Sequence, residues 1–149
     1  LLAEAPVNIA AILRMVVGEF RGQVDAADHI ELTLPDEPVS ASIDADAFAI
    51  LARNLIENAL KHGASDTPVR VSMSAEGVLR VINAGAIAPP ETLARLSEPF
   101  ERGQTLVQGA GLGLAIAKTI AAGTGGRLEL ISPAGGREDG FEAKFSIGK

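Results

Sequence analysis

The chain has no cysteine, no tryptophan and no tyrosine, and its only aromatic side chains besides two histidines are five phenylalanines. Without cysteine there is no disulfide framework, no thiolate nucleophile and no zinc site built on sulfur. Without Trp and Tyr, the aromatic platforms on which single-strand nucleic-acid binders stack bases are missing. Runs of Lys and Arg are absent too. The formal charge of −6 and a pI near 4.9 argue against a nucleic-acid surface. No signal peptide and no apolar run of membrane-spanning length occurs, so this stretch is expected to make no membrane contact of its own. There is no internal repeat, low-complexity tract or linker. What is there is 149 residues with 47% hydrophobic side chains, long enough for one core and short for two, so a single domain over 1–149 is expected.

Two stretches carry chemistry. In N-L-I-E-N-A-L-K-H-G, Asn54 to Gly63, apolar residues at Phe48, Leu51, Leu55, Ile56 and Ala59 keep helical spacing, with Asp44 as a candidate N-cap. At about 100° per residue, Asn54, Glu57, Asn58 and Lys61 fall on the opposite arc. Asn in mid-helix is locally unfavourable because its amide competes for backbone hydrogen bonds. Two of them four residues apart therefore suggest another use. An Asn amide oxygen suits Mg²⁺, which prefers oxygen ligands and shares its shell with phosphates, and Lys61 one turn on can meet the phosphate charge. Taken alone, the same residues also fit a solvated polar face.

In G-A-G-L-G-L-A-I-A-K, Gly109 to Lys118, three alternate glycines stand where a loop is expected to turn into a helix, with Leu112, Ile116 and Ile120 resuming helical spacing. A helix start of this kind favours an anion by roughly 0.3–1 kcal/mol, through free N–H groups and the macrodipole. A flexible loop ending in a helix fits the glycines equally well. The run is not a Walker loop, since no Lys-Ser or Lys-Thr follows it. No predicted strand leads directly into it, as a dinucleotide fingerprint requires.

The remaining pattern predicts a helix over Asn8–Arg21, strands near His29–Leu34 and Val39–Ile43, the long helix to Lys61, and strands near Val69–Ser74 and Val78–Ile82 joined by a turn at Ala75-Glu76-Gly77. After Pro89-Pro90 a short helix with Leu93 and Leu96 is expected. An irregular stretch from Phe100 to Gly109 follows, then a helix to Ala122 and a closing hairpin of Arg127–Ile131 and Phe141–Ile147, punctuated by Gly135-Gly136 and Asp139-Gly140. Helices interspersed with largely antiparallel strands suggest an α/β two-layer sandwich.

Over nearly its whole length the sequence resembles the catalytic and ATP-binding domain of bacterial sensor histidine kinases, in the ATPase superfamily that includes gyrase, Hsp90-type chaperones and MutL. Asn54–Gly63 resembles that family's N box, V-I-N-A-G-A-I-A-P-P-E (Val81–Glu91) its first glycine box, E-P-F-E-R-G (Glu98–Gly103) its F box and Gly109–Gly113 its second glycine box, in the family's order. The resemblance implies a Bergerat-type fold, a mixed, largely antiparallel sheet with helices on one face, and ATP with Mg²⁺ as ligands. Residue by residue it implies Asn58 as the Mg²⁺ ligand, Lys61 beside the phosphates, and Glu57 in a supporting or proton-handling role. Asn83 and Gly85 would lie at the adenine, Gly109, Gly111, Leu112 and Gly113 at the phosphates, and Phe100 and Arg102 at a lid over Glu101–Gln108, although Phe100 fits plain core equally well and Arg102 fits a solvent-exposed position. Asn54 occupies the position where hydrolytic relatives carry a water-activating glutamate. An amide cannot serve as that base, so transfer to a protein acceptor is implied, with Asn54 among the catalytic residues.

Two positions depart from the commonest family pattern. Asn83 stands where Asp is usual, keeping an acceptor for the adenine amine but losing charge assistance of about 1 kcal/mol. Ile87 stands where a second glycine is usual, which removes a flexible position beside the base. Neither histidine has the context of a phosphoacceptor: His29 sits in A-A-D-H-I-E beside a predicted strand, and His62 ends the N-box helix, where a helix C-terminus suits its partial charge. The acceptor is thus expected on a dimerisation domain of the same kinase, absent from this stretch, with a response regulator as an indirect partner and a cytoplasmic location beneath a membrane-anchored sensor. The alternative left open by Asn83 and Ile87 is a degenerate kinase-like module that acts through protein contacts.

Overall fold

The computed structural model describes residues 6–22, 29–62, 67–84, 109–132, 134 and 139–147, with the backbone alone at 62 and 109–115. In chain order the elements are β1 (Val7–Asn8), α1 (Ile9–Arg21), β2 (Ile30–Thr33), β3 (Ser40–Ala41), α2 (Ala45–His62), β4 (Val69–Met73), β5 (Val78–Asn83), α3 (Gly109–Gly123), β6 (Arg127–Ile131) and β7 (Phe141–Ser146). The main sheet runs β2-β4-β5-β7-β6. Its β2–β4 pair is parallel and the other three pairs are antiparallel.

Strand alternation sorts the side chains into two faces. Val69, Val71, Met73, Leu79, Val81, Ala143 and Phe145 point inward and are buried, and they pack with Phe48, Leu51, Leu55, Leu13 and Val17 of the helices. The outer face carries Glu31, Arg70, Ser72, Arg80 and Lys144, the pattern of an antiparallel sheet solvated on one side. This is the two-layer, mainly antiparallel α/β sandwich that the sequence pattern suggested, with the mixed sheet that the resemblance implied.

Helix ends follow local chemistry. Asn8 caps α1, its Oδ1 accepting from Ala11 N at 3.3 Å and also from Val39 N, which ties β1 to the chain leading into β3. Asp44 caps α2 by accepting from Ala47 N at 2.9 Å. At the end of α3, Gly125 takes φ +74°, Gly126 N donates to Ala121 O and Gly125 N to Ala122 O: the paired bonds of a Schellman cap. A bidentate pair between Arg53 and Glu19 links α2 to α1 at 2.8 Å, on side chains that stay 40% and 47% exposed, so its net contribution is below about 1 kcal/mol.

Three differences from the sequence pattern have physical causes. The strand expected over Val39–Ile43 is only Ser40–Ala41, because it pairs with two-residue β1 alone and Asp44 then turns the chain into α2. β1 itself carries no readable alternation at two residues. Helix α3 begins at Gly109, so the three alternate glycines lie in its first turns and not in a loop ahead of it. The helix expected around Leu93 and Leu96 and the irregular stretch over 100–108 lie outside the described residues.

Candidate functional site

Helix and strand directions bring the described motif residues to one end of the molecule. Helix α2 ends at His62 shortly before β4 starts at Val69, so it runs against β4; β5 is antiparallel to β4, and α2 therefore runs along β5 in the same direction. The last turns of α2 thus lie towards the end of β5 that holds Asn83. Helix α3 ends at Gly123, just ahead of β6, and β6 runs the same way as β5 because both are antiparallel to β7. The start of α3 consequently lies at that same end. Helices α2 and α3 pack against each other. A helix N-terminus, an Asn-bearing helix C-terminal half and a strand ending in a buried Asn converge.

On α2 the expected polar arc is partitioned. Glu57 and Lys61 are exposed, whereas Asn54 and Asn58 stand at the border with the core, half-buried. Asn54 turns its amide back on its own helix, Nδ2 donating to Ile50 O at 2.9 Å. Asn58 has no such local solution. Its Oδ1 is buried and, among the described residues, is the buried side-chain oxygen without a hydrogen-bond partner. Leaving a buried acceptor unpaired costs roughly 1–3 kcal/mol, which a bound donor or cation would recover.

Asn83, 5% exposed, closes β5. Its Nδ2 donates to Ala84 O at 3.1 Å, which orients the amide and leaves Oδ1 as the end that can accept from a ligand. The backbone around it is tightly built. Gly140 takes φ +86°, and a Cβ there would stand 2.3 Å from Asn83 O, so only glycine lets the chain enter β7 this close to β5. Ser132 Oγ donates to Gly140 O at 2.5 Å and ties the end of β6 to the same corner. Phe141 then falls directly opposite Asn83.

Of the residues expected in the site, Asn54, Glu57, Asn58, Lys61 and Asn83 are therefore on elements that meet, and Gly109, Gly111, Leu112 and Gly113 form the first turns of α3. Gly85, Ile87, Phe100 and Arg102 lie outside the described residues. Ser132, Gly140 and Phe141 were missed by sequence reasoning. The Asp139-Gly140 turn signal marked the corner, but the β5–β7 pairing that brings it to Asn83 is non-local.

The donor set suits a hard cation shared with phosphates. Among the described residues no group of three or more His, Cys, Asp or Glu could hold a metal by itself. A single amide oxygen at Asn58 fits Mg²⁺, which is commonly held by one or two protein oxygens with substrate phosphates and water completing the shell. Among the described residues no helix is long and apolar enough to cross a membrane.

Comparison with known proteins agrees with this geometry. Residues 43–148 match the family model described as histidine kinase-, DNA gyrase B- and HSP90-like ATPase. The chain is 36% identical over 108 residues to a bacteriophytochrome of Pseudomonas aeruginosa, covering 68% of this chain and 15% of that protein. It is 34% identical over 119 residues to the sensor protein QseC of Escherichia coli K12, covering 78% of this chain and 25% of that one. It thus spans a quarter or less of those two relatives. Among solved structures, the mycobacterial sensor histidine kinase MprB superposes with a TM-score of 0.76 at 22% identity, over 95% of both chains. Full-length ShkA in complex with AMPPNP superposes with a TM-score of 0.70 at 27% identity, over 99% of this chain and 31% of that one. The chain belongs to the histidine kinase-, DNA gyrase B- and HSP90-like ATPase family.

Proposed function

We propose that this chain is the catalytic and ATP-binding domain of a sensor histidine kinase, binding Mg·ATP and passing the γ-phosphoryl group to a histidine on a separate dimerisation domain. The observation that carries this reading is the buried, unpartnered Oδ1 of Asn58 at the end of the molecule where α2, α3 and β5 converge. ShkA, a similar structure, was solved in complex with AMPPNP. Asn83 Oδ1 accepts from the adenine amine, Asn58 holds Mg²⁺, and Lys61 with the first turns of α3 faces the phosphates. Mg²⁺, when bound, neutralises phosphate charge. Gly85 and Ile87 border the base, and Phe100 and Arg102 belong to the lid.

In the transfer the acceptor imidazole nitrogen forms a bond to the γ-phosphorus, the bond to the ADP oxygen breaks, and ADP leaves. The chain's own contribution is positioning and charge neutralisation. Glu57, exposed one residue before Asn58, is available to take the imidazole proton. Asn54 cannot activate water; its amide is engaged by Ile50 O and has no basic form in this range, so hydrolysis is suppressed in favour of transfer. A cytoplasmic position under a membrane-anchored sensor, and a response regulator downstream, follow from the same reading.

The test uses ATP labelled at the γ-phosphate. The isolated chain should bind ATP yet neither label itself nor release phosphate appreciably, and its cognate dimerisation domain should acquire an acid-labile, base-stable phosphohistidine when added. Rapid hydrolysis by the chain alone would refute the role of Asn54. No transfer to a verified cognate domain despite measured ATP binding would favour a degenerate module.

A further inference from the structure

We propose that Phe141 forms an apolar wall for the adenine base beside Asn83; this rests on the nucleotide reading above and adds a residue to its base pocket. Three observations converge on it. First, Phe141 and Asn83 are direct cross-strand partners at the end of the β5–β7 pair. Residues in that relation have Cβ atoms about 4.5–5.5 Å apart on one face of the sheet. The face is the inner one, since Asn83 alternates with buried Val81 and Leu79, and Phe141 with buried Ala143 and Phe145.

Second, of the four phenylalanines among the described residues, Phe20, Phe48 and Phe145 are buried, while Phe141 packs against the core with only part of its surface and leaves the rest open. A half-covered aromatic ring beside a buried Asn is the combination that a flat heteroaromatic ligand fits, with the amide reading a polar edge and the ring covering an apolar face or edge. Third, the ring is held in place. Gly140, confined to φ +86° against the Asn83 carbonyl and bonded through its own oxygen to Ser132, fixes where Phe141 leaves the corner. In a base pocket whose polar contact is an uncharged amide, such a wall supplies affinity that does not depend on charge.

The experiment compares ATP with magnesium tripolyphosphate, which shares the phosphates and lacks the base, by calorimetry on the parent chain and on Phe141→Leu and Phe141→Thr. Both variants should weaken ATP by up to about tenfold, the scale of one lost ring contact, and leave tripolyphosphate affinity unchanged at unaltered melting temperature or after correction to the folded fraction. Because the chain contains no tryptophan, Phe141→Trp adds a single fluorophore whose emission should change with ATP and not with tripolyphosphate. Parent binding of ATP with undiminished affinity in both variants would overturn the wall and leave the nucleotide reading standing. Equal losses for ATP and tripolyphosphate would overturn it in favour of a purely structural ring. Failure of the parent to bind ATP at all would overturn both.

Discussion

Replacing Asn58 with alanine should stabilise the nucleotide-free protein and at the same time remove the Mg²⁺ dependence of its ATP affinity. The two effects share one cause. Oδ1 of Asn58 is buried without a partner, so in the free protein the amide carries a desolvation cost of roughly 1–3 kcal/mol. Asn is also poorer than Ala inside a helix by about 0.5 kcal/mol. Removing both penalties outweighs the small loss of packing at a half-buried position, and a gain of about 1 kcal/mol is expected in thermal or urea unfolding. With Mg·ATP the order reverses. A ligand at a hundred times its Kd adds about 2.7 kcal/mol to the parent, and the variant, lacking the metal's protein ligand, should lose most of that. Unfolding curves with and without Mg·ATP, together with calorimetry at varied Mg²⁺, measure both halves. A variant less stable than the parent in the absence of ligand would show that Oδ1 has a structural partner, and unchanged Mg²⁺ dependence would remove Asn58 from the metal site.

Why Asn58 was legible in the sequence, and the corner around Gly140 was not, comes down to range. The polar arc on α2 is a local pattern: four residues at helical spacing opposite Phe48, Leu51, Leu55 and Ile56, with the Asp44 cap fixing where the helix starts. Burial then divides that arc more finely than periodicity can, leaving Glu57 and Lys61 in solvent and pulling Asn54 and Asn58 to the border. The strands β4 to β7 were readable for the same local reason, since each is a run of five or six residues rich in apolar side chains, alternating most clearly in β4 and β7, and bounded by turn residues. Strand order was not. Nothing in the sequence around Phe141 says that it pairs with β5, more than fifty residues earlier, and this pairing is what sets Asn83 beside Phe141. The glycines of α3 erred in the opposite direction. Glycine permits a loop but does not require one, and Gly109 to Gly113 take helical geometry at the start of an apolar helix packed on α2.

Gly140→Ala should be among the most damaging single-methyl changes available in the described part of this protein, and Gly125→Ala supplies its control. Both glycines adopt positive φ, +86° and +74°, where an L side chain costs roughly 1–2 kcal/mol. They differ in surroundings. A Cβ at Gly125 meets nothing within 4 Å, so that variant should lose this conformational cost of roughly 1–2 kcal/mol and no more. A Cβ at Gly140 would stand 2.3 Å from Asn83 O and 3.4 Å from Ala84 Cα, both backbone atoms that cannot turn aside as a flexible side chain would. Relief requires β7 to draw away from the end of β5, loosening the Asn83–Phe141 pair and the Ser132 bond to Gly140 O. Steric and conformational costs together should reach about 3 kcal/mol or more, within the range of mutations that disturb a special backbone position. The displaced atoms include the residue assigned to adenine, so the folded fraction of Gly140→Ala should bind ATP at least about tenfold more weakly, whereas Gly125→Ala should bind as the parent does. Urea unfolding of the two variants, followed by calorimetry under conditions where both are folded, separates the terms. Equal stability losses would mean that this corner yields freely, and an undiminished ATP affinity in Gly140→Ala would mean that adenine binds away from Asn83.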